Sequence, residues 1–273
     1  MAEGLDLVYE TIDRQHAGES AHTRRRLVAG AAAALGGMGL LALPGVAGAD
    51  PATPASFPKE NTPERILTVG ATAEVLATIV NTVGFERGLG GDATTQRNIK
   101  AAAREELQHY FVLTGTFGAK ALTKQIWIPD AVFADRTSFL STLEVGDQIF
   151  CNAYLIGTAA FGFAGLGQQA VVAAEFMGVE AVHRALARQS LGKLGNDRVF
   201  IRADNREEAP DAPNPGQLGF NHIGSAVTQL QAAGFGFGAK GAEPGSFYSF
   251  EEVRRRTPDD PDVNTRFPDQ IRA

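Results

Sequence analysis

Glu106–Leu107–Gln108–His109 and Glu180–Ala181–Val182–His183 are the two stretches on which the reading of this chain turns. Each sets a carboxylate three residues before an imidazole, and residues i and i+3 share one face of a helix. At helical spacing Glu106 has Ile99, Ala102, Ala103, Tyr110 and Leu113 for company, and Glu180 has Ala173, Phe176, Met177 and Ala187. Those are core-type faces, where a glutamate without a partner is costly. Two more helical stretches carry one inward glutamate each. Glu74 lies among Leu67, Gly70, Ala71, Ala77 and Thr78, and Glu144 among Leu140, Ser141, Asp147, Gln148 and Cys151. The face of Glu144 is mixed, so its inward placement leans on an internal echo. Thr72–Ala73–Glu74–Val75 matches Thr142–Leu143–Glu144–Val145, as a duplicated helix pair would produce. The order Glu, Glu-x-x-His, Glu, Glu-x-x-His is the ligand set by which a four-helix bundle holds two metal ions in its core.

Working outward, each ligand falls on a long helix. Asn61 or Thr62 can cap the first, with Pro63 and Glu64 in its opening turn and a stop at Gly84. The second is expected from about Thr95 to Phe117, the third from Arg136 to Thr158 and the fourth from Leu166 to Leu191. Between the second and third, residues 119–135 have weak helical periodicity and a β-rich patch, Gln125–Ile126–Trp127–Ile128–Pro129. A connection of that length needs a reason, and a crossover along the bundle supplies one. From Gly192 to Ala273 proline and glycine become frequent, and only His222–Ala233 looks helical. This segment is expected to be an irregular tail laid over the bundle, attached through Phe220, Phe235, Phe237, Phe247, Tyr248 and Phe250. The expectation is therefore an all-α chain: an extended leader over residues 50–62, a four-helix bundle over 63–191 with a long crossover between helices two and three, and a tail over 192–273.

The chain has 273 residues, 44% of them hydrophobic, and a net charge of −6. With no dense basic face, nucleic acid is not an expected partner. A lone cysteine, Cys151, excludes an internal disulfide, a zinc ribbon and an iron–sulfur cluster, and reads as a small buried hydrophobe. Residues 1–49 read as a removable export signal. Arg24–Arg25–Arg26 precede an apolar run from Leu27 to Leu43, and Ala47–Gly48–Ala49 forms a cleavage box. Adjacent arginines after a long polar leader suggest twin-arginine export. The mature protein is then expected in the periplasm, the cell envelope or the extracellular space, with no further membrane span.

The expected metal ligands are Glu74, Glu106, His109, Glu144, Glu180 and His183. Asp147, Gln148 and Tyr110 are candidates for hydrogen-bonding behind them. Tyr110 and Tyr154 could each be a redox-active phenol or a packing residue, Glu105 is the nearest competing carboxylate, and His222 is read as structural. Iron and manganese accept mixed carboxylate–imidazole ligation, and two divalent ions would cancel four carboxylates.

These residues carry a resemblance. The Glu74 helix, Glu106-x-x-His109, the Glu144 helix and Glu180-x-x-His183 resemble the ferritin-like superfamily. Leu143–Glu144–Val145 through Ala153–Tyr154, with Gly234–Phe235–Gly236–Phe237, are similar to its exported, desiccation-related type. The resemblance spans about Pro63–Leu191, and more loosely the tail to Val253. It implies a dinuclear centre of iron, or alternatively manganese, reacting with O2 or peroxide as an oxidase, ferroxidase or manganese-catalase-like oxidoreductase. It also leaves open a stress-related scaffold with a structural or vestigial site, metal storage without catalysis, and a homodimer.

Overall fold

The computed structural model describes residues 58–197, 199–202 and 217–259. The chain divides into a unit Met1–Ser56 and a unit Phe57–Ala273. The first, with the expected signal sequence, lies outside the described residues, as does most of the leader.

The described part is mostly helical, and four long helices supply its body. Helix α1 is Pro63–Glu86, opened by the Thr62 hydroxyl accepting from the Arg65 amide, with proline in its first turn. Asn61 does other work: its amide bonds Asn221 O at 2.7 Å and accepts from the Ile223 amide at 2.8 Å, pinning the tail. Helix α2 is Ala93–Phe111, capped by Asp92, and runs on into a π-helical turn, Val112–Thr116. Strand β1, Gln125–Pro129, and a 3-10 turn, Asp130–Phe133, form the crossover. Helix α3, Arg136–Phe163, is capped by Asp135, and α4 is Gly167–Ser190. The turn between them relies on Gly165 at φ 72°, a conformation that favours glycine.

Helices α1 and α2 pack as one hairpin, α3 and α4 as another, and α1 meets α3 while α2 meets α4. This arrangement is compatible with a helical bundle. The α1–α3 contact is close: a Cβ on Gly84 would fall 2.1 Å from the ring of Phe139, which is fully buried. Helix α1 is also the one helix among the described residues long and apolar enough to cross a membrane, although no further span is expected from the sequence. Its most apolar window is 78% buried inside the protein, as a core helix requires.

The tail adds short β2 (Ile201–Arg202) and β3 (Gln217–Leu218), then helix α5 (Gly224–Ala232), β4 (Gly236–Phe237), β5 (Gly245–Ser249) and the single turn α6 (Phe250–Val253). The chain is mostly helical, compatible with the all-α expectation, and the tail adds a small sheet that the sequence reading does not include. β1 is the centre of a three-stranded antiparallel sheet, order β4–β1–β5, with Ile126 facing both Phe237 and Tyr248. Alternation explains it. Ile126 and Ile128 point into the core, while Trp127 lies on the other face against Phe247 and donates its indole N–H to Glu243 O at 3.0 Å. Of the six aromatic anchors expected in the tail, Phe220, Phe235 and Phe250 are buried, Phe237 and Tyr248 are half-buried against the core, and Phe247 is exposed. Phe220 is further held by reciprocal bonds with the Asn152 side chain, both 2.8 Å.

Candidate metal centre

Midway along the four long helices, six acidic and imidazole side chains converge in a buried cluster. Helix α1 contributes Glu74; α2, Glu106 and His109; α3, Asp147; α4, Glu180 and His183. The side chains form two overlapping groups, each able to hold a metal ion: Glu74, Glu106, His109 and Glu180, and then Glu106, Asp147, Glu180 and His183. Glu106 and Glu180 belong to both groups, and Glu74, Glu106 and Glu180 have no solvent exposure at all.

The distances decide between a hydrogen-bonded polar core and a cation cradle. His109 Nδ1 lies 3.5 Å from Glu74 Oε2, 3.4 Å from Glu106 Oε2 and 3.4 Å from Glu180 Oε1. His183 Nδ1 lies 3.1 Å from Glu106 Oε1 and 3.6 Å from Glu180 Oε2. Two donor atoms each about 2.1 Å from one cation sit about 3.0 Å apart at a right angle and about 3.4 Å apart at a tetrahedral angle. The separations match that pattern better than a set of N–H···O bonds. Seven ligand-type atoms correspondingly have no hydrogen-bond partner: Glu74 Oε2, both oxygens of Glu106 and of Glu180, and Nδ1 of His109 and of His183. Leaving so many buried polar atoms unsatisfied is expensive, and a donor set of this kind could hold cations.

Two atoms facing away from the cluster have partners. His183 Nε2 meets Glu105 Oε2 at 2.6 Å, which fixes the ring and leaves Nδ1 facing the cluster. The hydroxyl of Tyr154 donates to Glu74 Oε1, leaving Oε2 as the free oxygen of that carboxylate. The ring of His109 stacks on Phe176, with centroids 3.9 Å apart.

Burial and crowding disturb several titrations here in the metal-free protein. Burial pushes Glu74 well above the usual carboxylate range, more than His109 pulls it down, and burial likewise raises Asp147 against the pull of His183. Burial works to lower both histidines, but the surrounding carboxylates win and hold both well above the ordinary imidazole value. Glu106 is also opposed by burial, yet lying between the two histidines depresses it well below the carboxylate range. Burial, then the nearby Glu74 charge, pushes the Tyr154 phenol up. Burial keeps the Cys151 thiol neutral, its Sγ lying 3.8 Å from Met177 O.

Five of the six residues expected as ligands therefore come together, and Glu144 does not. It points one helical turn away from the cluster, where it pairs with Arg188 and accepts from Lys193 Nζ at 2.6 Å. Burial would raise its pKa, but those two cations hold it down. Asp147, expected behind the ligands, stands in the position given to Glu144. The chain's turn carried the signal. Gly165 lies 18 residues after Asp147 and 18 before His183, so an antiparallel hairpin sets those two level, and leaves Glu144 level with the end of α4. Of the other candidates, Gln148 leaves Nε2 without a partner, and Tyr110 packs on Phe250 in the tail contact, 4.5 Å between centroids. Glu105 is a histidine partner rather than a competing ligand. His222 is exposed, 3.7 Å from Glu60. Asp147→Ala is accordingly expected to lower bound-metal stoichiometry, while Glu144→Gln leaves it unchanged and costs about 1 kcal/mol of stability as a lost, partly exposed ion pair. Metal analysis and urea melts of the two variants check both halves.

No family model matches the chain, and no curated protein or solved structure matches it either.

Proposed function

We propose that this chain is an exported ferritin-like protein carrying a dinuclear iron or manganese centre that reacts with O2 or hydrogen peroxide. The observation that carries the reading is the sharing of Glu106 and Glu180 between two potential cation groups. Glu106 and Glu180, each with two free oxygens near different histidines, would be shared by two ions, one also held by Glu74 and His109 and the other by Asp147 and His183. Four carboxylates and two neutral imidazoles suit borderline divalent ions, and their combined charge balances two of them. Bound there, a pair of redox-active ions would supply two electrons in one encounter with the oxidant.

The chain's own residues have definable tasks in that reading. Glu105 holds the His183 ring through Nε2, and Tyr154 holds Glu74 through one oxygen, so both terminal ends are oriented before metal arrives. Phe176 covers the His109 ring and keeps bulk water from that side. Glu106 and Glu180, which would be shared between the two ions, have no such second partner on either oxygen.

The test is turnover with each metal. Oxidation of two equivalents of Fe(II) per chain is expected at least tenfold faster than in buffer, followed by stopped-flow absorbance. With Mn(II), evolution of O2 from peroxide is the corresponding readout, two H2O2 giving two H2O and one O2. Tight binding of two ions without acceleration in either assay would leave a storage or stress-scaffold protein, and would remove the catalytic claim.

A further inference from the structure

Helix α1, helix α3, the 3-10 turn and the tail enclose a cleft of about 590 Å³, within the size range of pockets that hold drug-sized ligands. Its walls are largely aliphatic and aromatic: Leu76 and Val80 from α1, Ile149 and Phe150 from α3, Leu230 and Phe235 from the tail. Val145 on its rim is 56% exposed, a sizeable apolar side chain left to solvent beside an apolar hollow.

The cleft is not separate from the polar cluster. Asp147, one of the six converging residues, lines it, and so do Asn81 and Leu143. The same three residues line a second, water-sized pocket that reaches His183. Asn81 and Asp147 thus stand between the open cleft and the histidine end of the cluster. Asn81 is buried, and its Oδ1 accepts no hydrogen bond although its amide nitrogen donates to Ala77 O. A ligand N–H or O–H is what that oxygen lacks.

Charge narrows the ligand further. Asp130, Asp147 and Glu243 line the cleft, and no lysine or arginine does among the described residues. An anion there would be desolvated with no cation to meet it, which is costly.

We infer that the cleft binds a neutral, mainly apolar small molecule with one hydrogen-bond donor, and presents it to the Asp147–His183 end of the metal centre. It is a substrate site, and the inference rests on the metal-centre reading given above. Fatty acids, phosphates and other anionic amphiphiles are excluded from it.

The experiment uses two probes that share one aromatic skeleton. N-phenyl-1-naphthylamine is neutral with a single N–H, and 8-anilinonaphthalene-1-sulfonate is the same frame carrying an anion. In the metal-free protein, fluorescence titration is expected to give one site for the neutral probe and at least tenfold weaker binding for the sulfonate. Ala233 and Ala131 are exposed and line the cleft. Ala233→Trp should weaken the neutral probe at least tenfold, and Ala131→Trp serves if the first variant melts early. Ala181→Trp, on the exposed face of α4 away from the cleft, should change nothing. Equal binding of both probes, or no effect of either blocking variant, overturns the site. In protein loaded with Co(II), the neutral probe is expected to shift the visible bands of the metal. Unshifted bands with the probe bound would overturn the connection to the metal centre. Failure of Co(II) to bind at all would instead count against the metal reading, while the probe titrations in metal-free protein would still decide the cleft.

Discussion

Glu180→Ala is expected to abolish binding of both metal ions, whereas Glu74→Ala is expected to abolish one. The difference follows from which oxygens face which group. Glu74 offers a single free oxygen to the His109 end, because Tyr154 occupies the other. Glu180 offers Oε1 to the His109 end and Oε2 to the His183 end, and Glu106 does the same in mirror image. Removing either of these two cuts both ligand sets at once, and removal of even an outer hydrogen-bond partner can cost about 10–100-fold in affinity. Loss of a direct ligand shared by both sites should exceed that. Dialysis against micromolar Mn(II) followed by elemental analysis should give about two ions per wild-type chain by the ligand count. Glu74→Ala should then retain about one and Glu180→Ala none, while circular dichroism reports unchanged helicity. A Glu180→Ala protein that keeps one ion at wild-type affinity would break the sharing on which the dinuclear reading depends.

The second large effect concerns pH. In the metal-free protein Glu74, Asp147, His109 and His183 all have folded pKa values raised above their unfolded ones. A raised pKa means that the folded state holds the proton more tightly. That stabilisation is complete below the unfolded pKa and is lost as pH climbs towards the folded one, at about 1.4 kcal/mol per pH unit per proton. For the two carboxylates the loss begins above their ordinary acidic range, and for the two histidines above about pH 6.5. Glu106, depressed, works oppositely, but its stabilisation is lost only as pH falls below the ordinary carboxylate value. Metal-free protein should therefore become less stable from pH 5 to pH 8.

Metal reverses the trend, since a cation replaces the protons and binds better as they leave. An ion present at 100 times its Kd adds about 2.7 kcal/mol, or roughly 5–10 °C of Tm for a domain of this size. The gap in Tm between Mn(II)-loaded and EDTA-treated protein should thus be small at pH 5 and widest near pH 8. A gap independent of pH would mean that metal does not displace these protons.

The helical part of the fold was legible because its signals are local. Thr62 and Pro63 open α1 as read, and the apolar neighbours of Glu74, Glu106 and Glu180 recur at helical spacing on their own helices. The Glu-x-x-His pairs were legible for the same reason, each lying within one turn of helix. What failed needed a distance between elements. Glu144 and Asp147 share a face of α3, and the echo with Glu74 favoured the wrong one; only the level at which α3 meets α4 separates them. The sheet was hidden in a similar way. Gln125–Pro129 carries strand-forming residues, but its partners Gly236–Phe237 and Gly245–Ser249 are glycine-rich and far along the chain. Glu105 looked like a spare carboxylate because no pattern in a single helix reveals which ring nitrogen of His183 it would reach.

The sheet has a consequence for the order in which the molecule is finished. Every residue of the buried carboxylate–histidine cluster is made before Leu191, within two hairpins closed by short turns, whereas β1 must wait for strands at Gly236 and Gly245. Local hairpins form early and distant pairings late, and synthesis from the N-terminus reinforces that sequence. The far wall of the cleft, from Leu230 to Pro244, therefore arrives last. Until it does, the side of the helices that carries Asp147 has no tail to cover it, so on the reading proposed above the last-made part of the chain would be the part that sets what reaches the cluster.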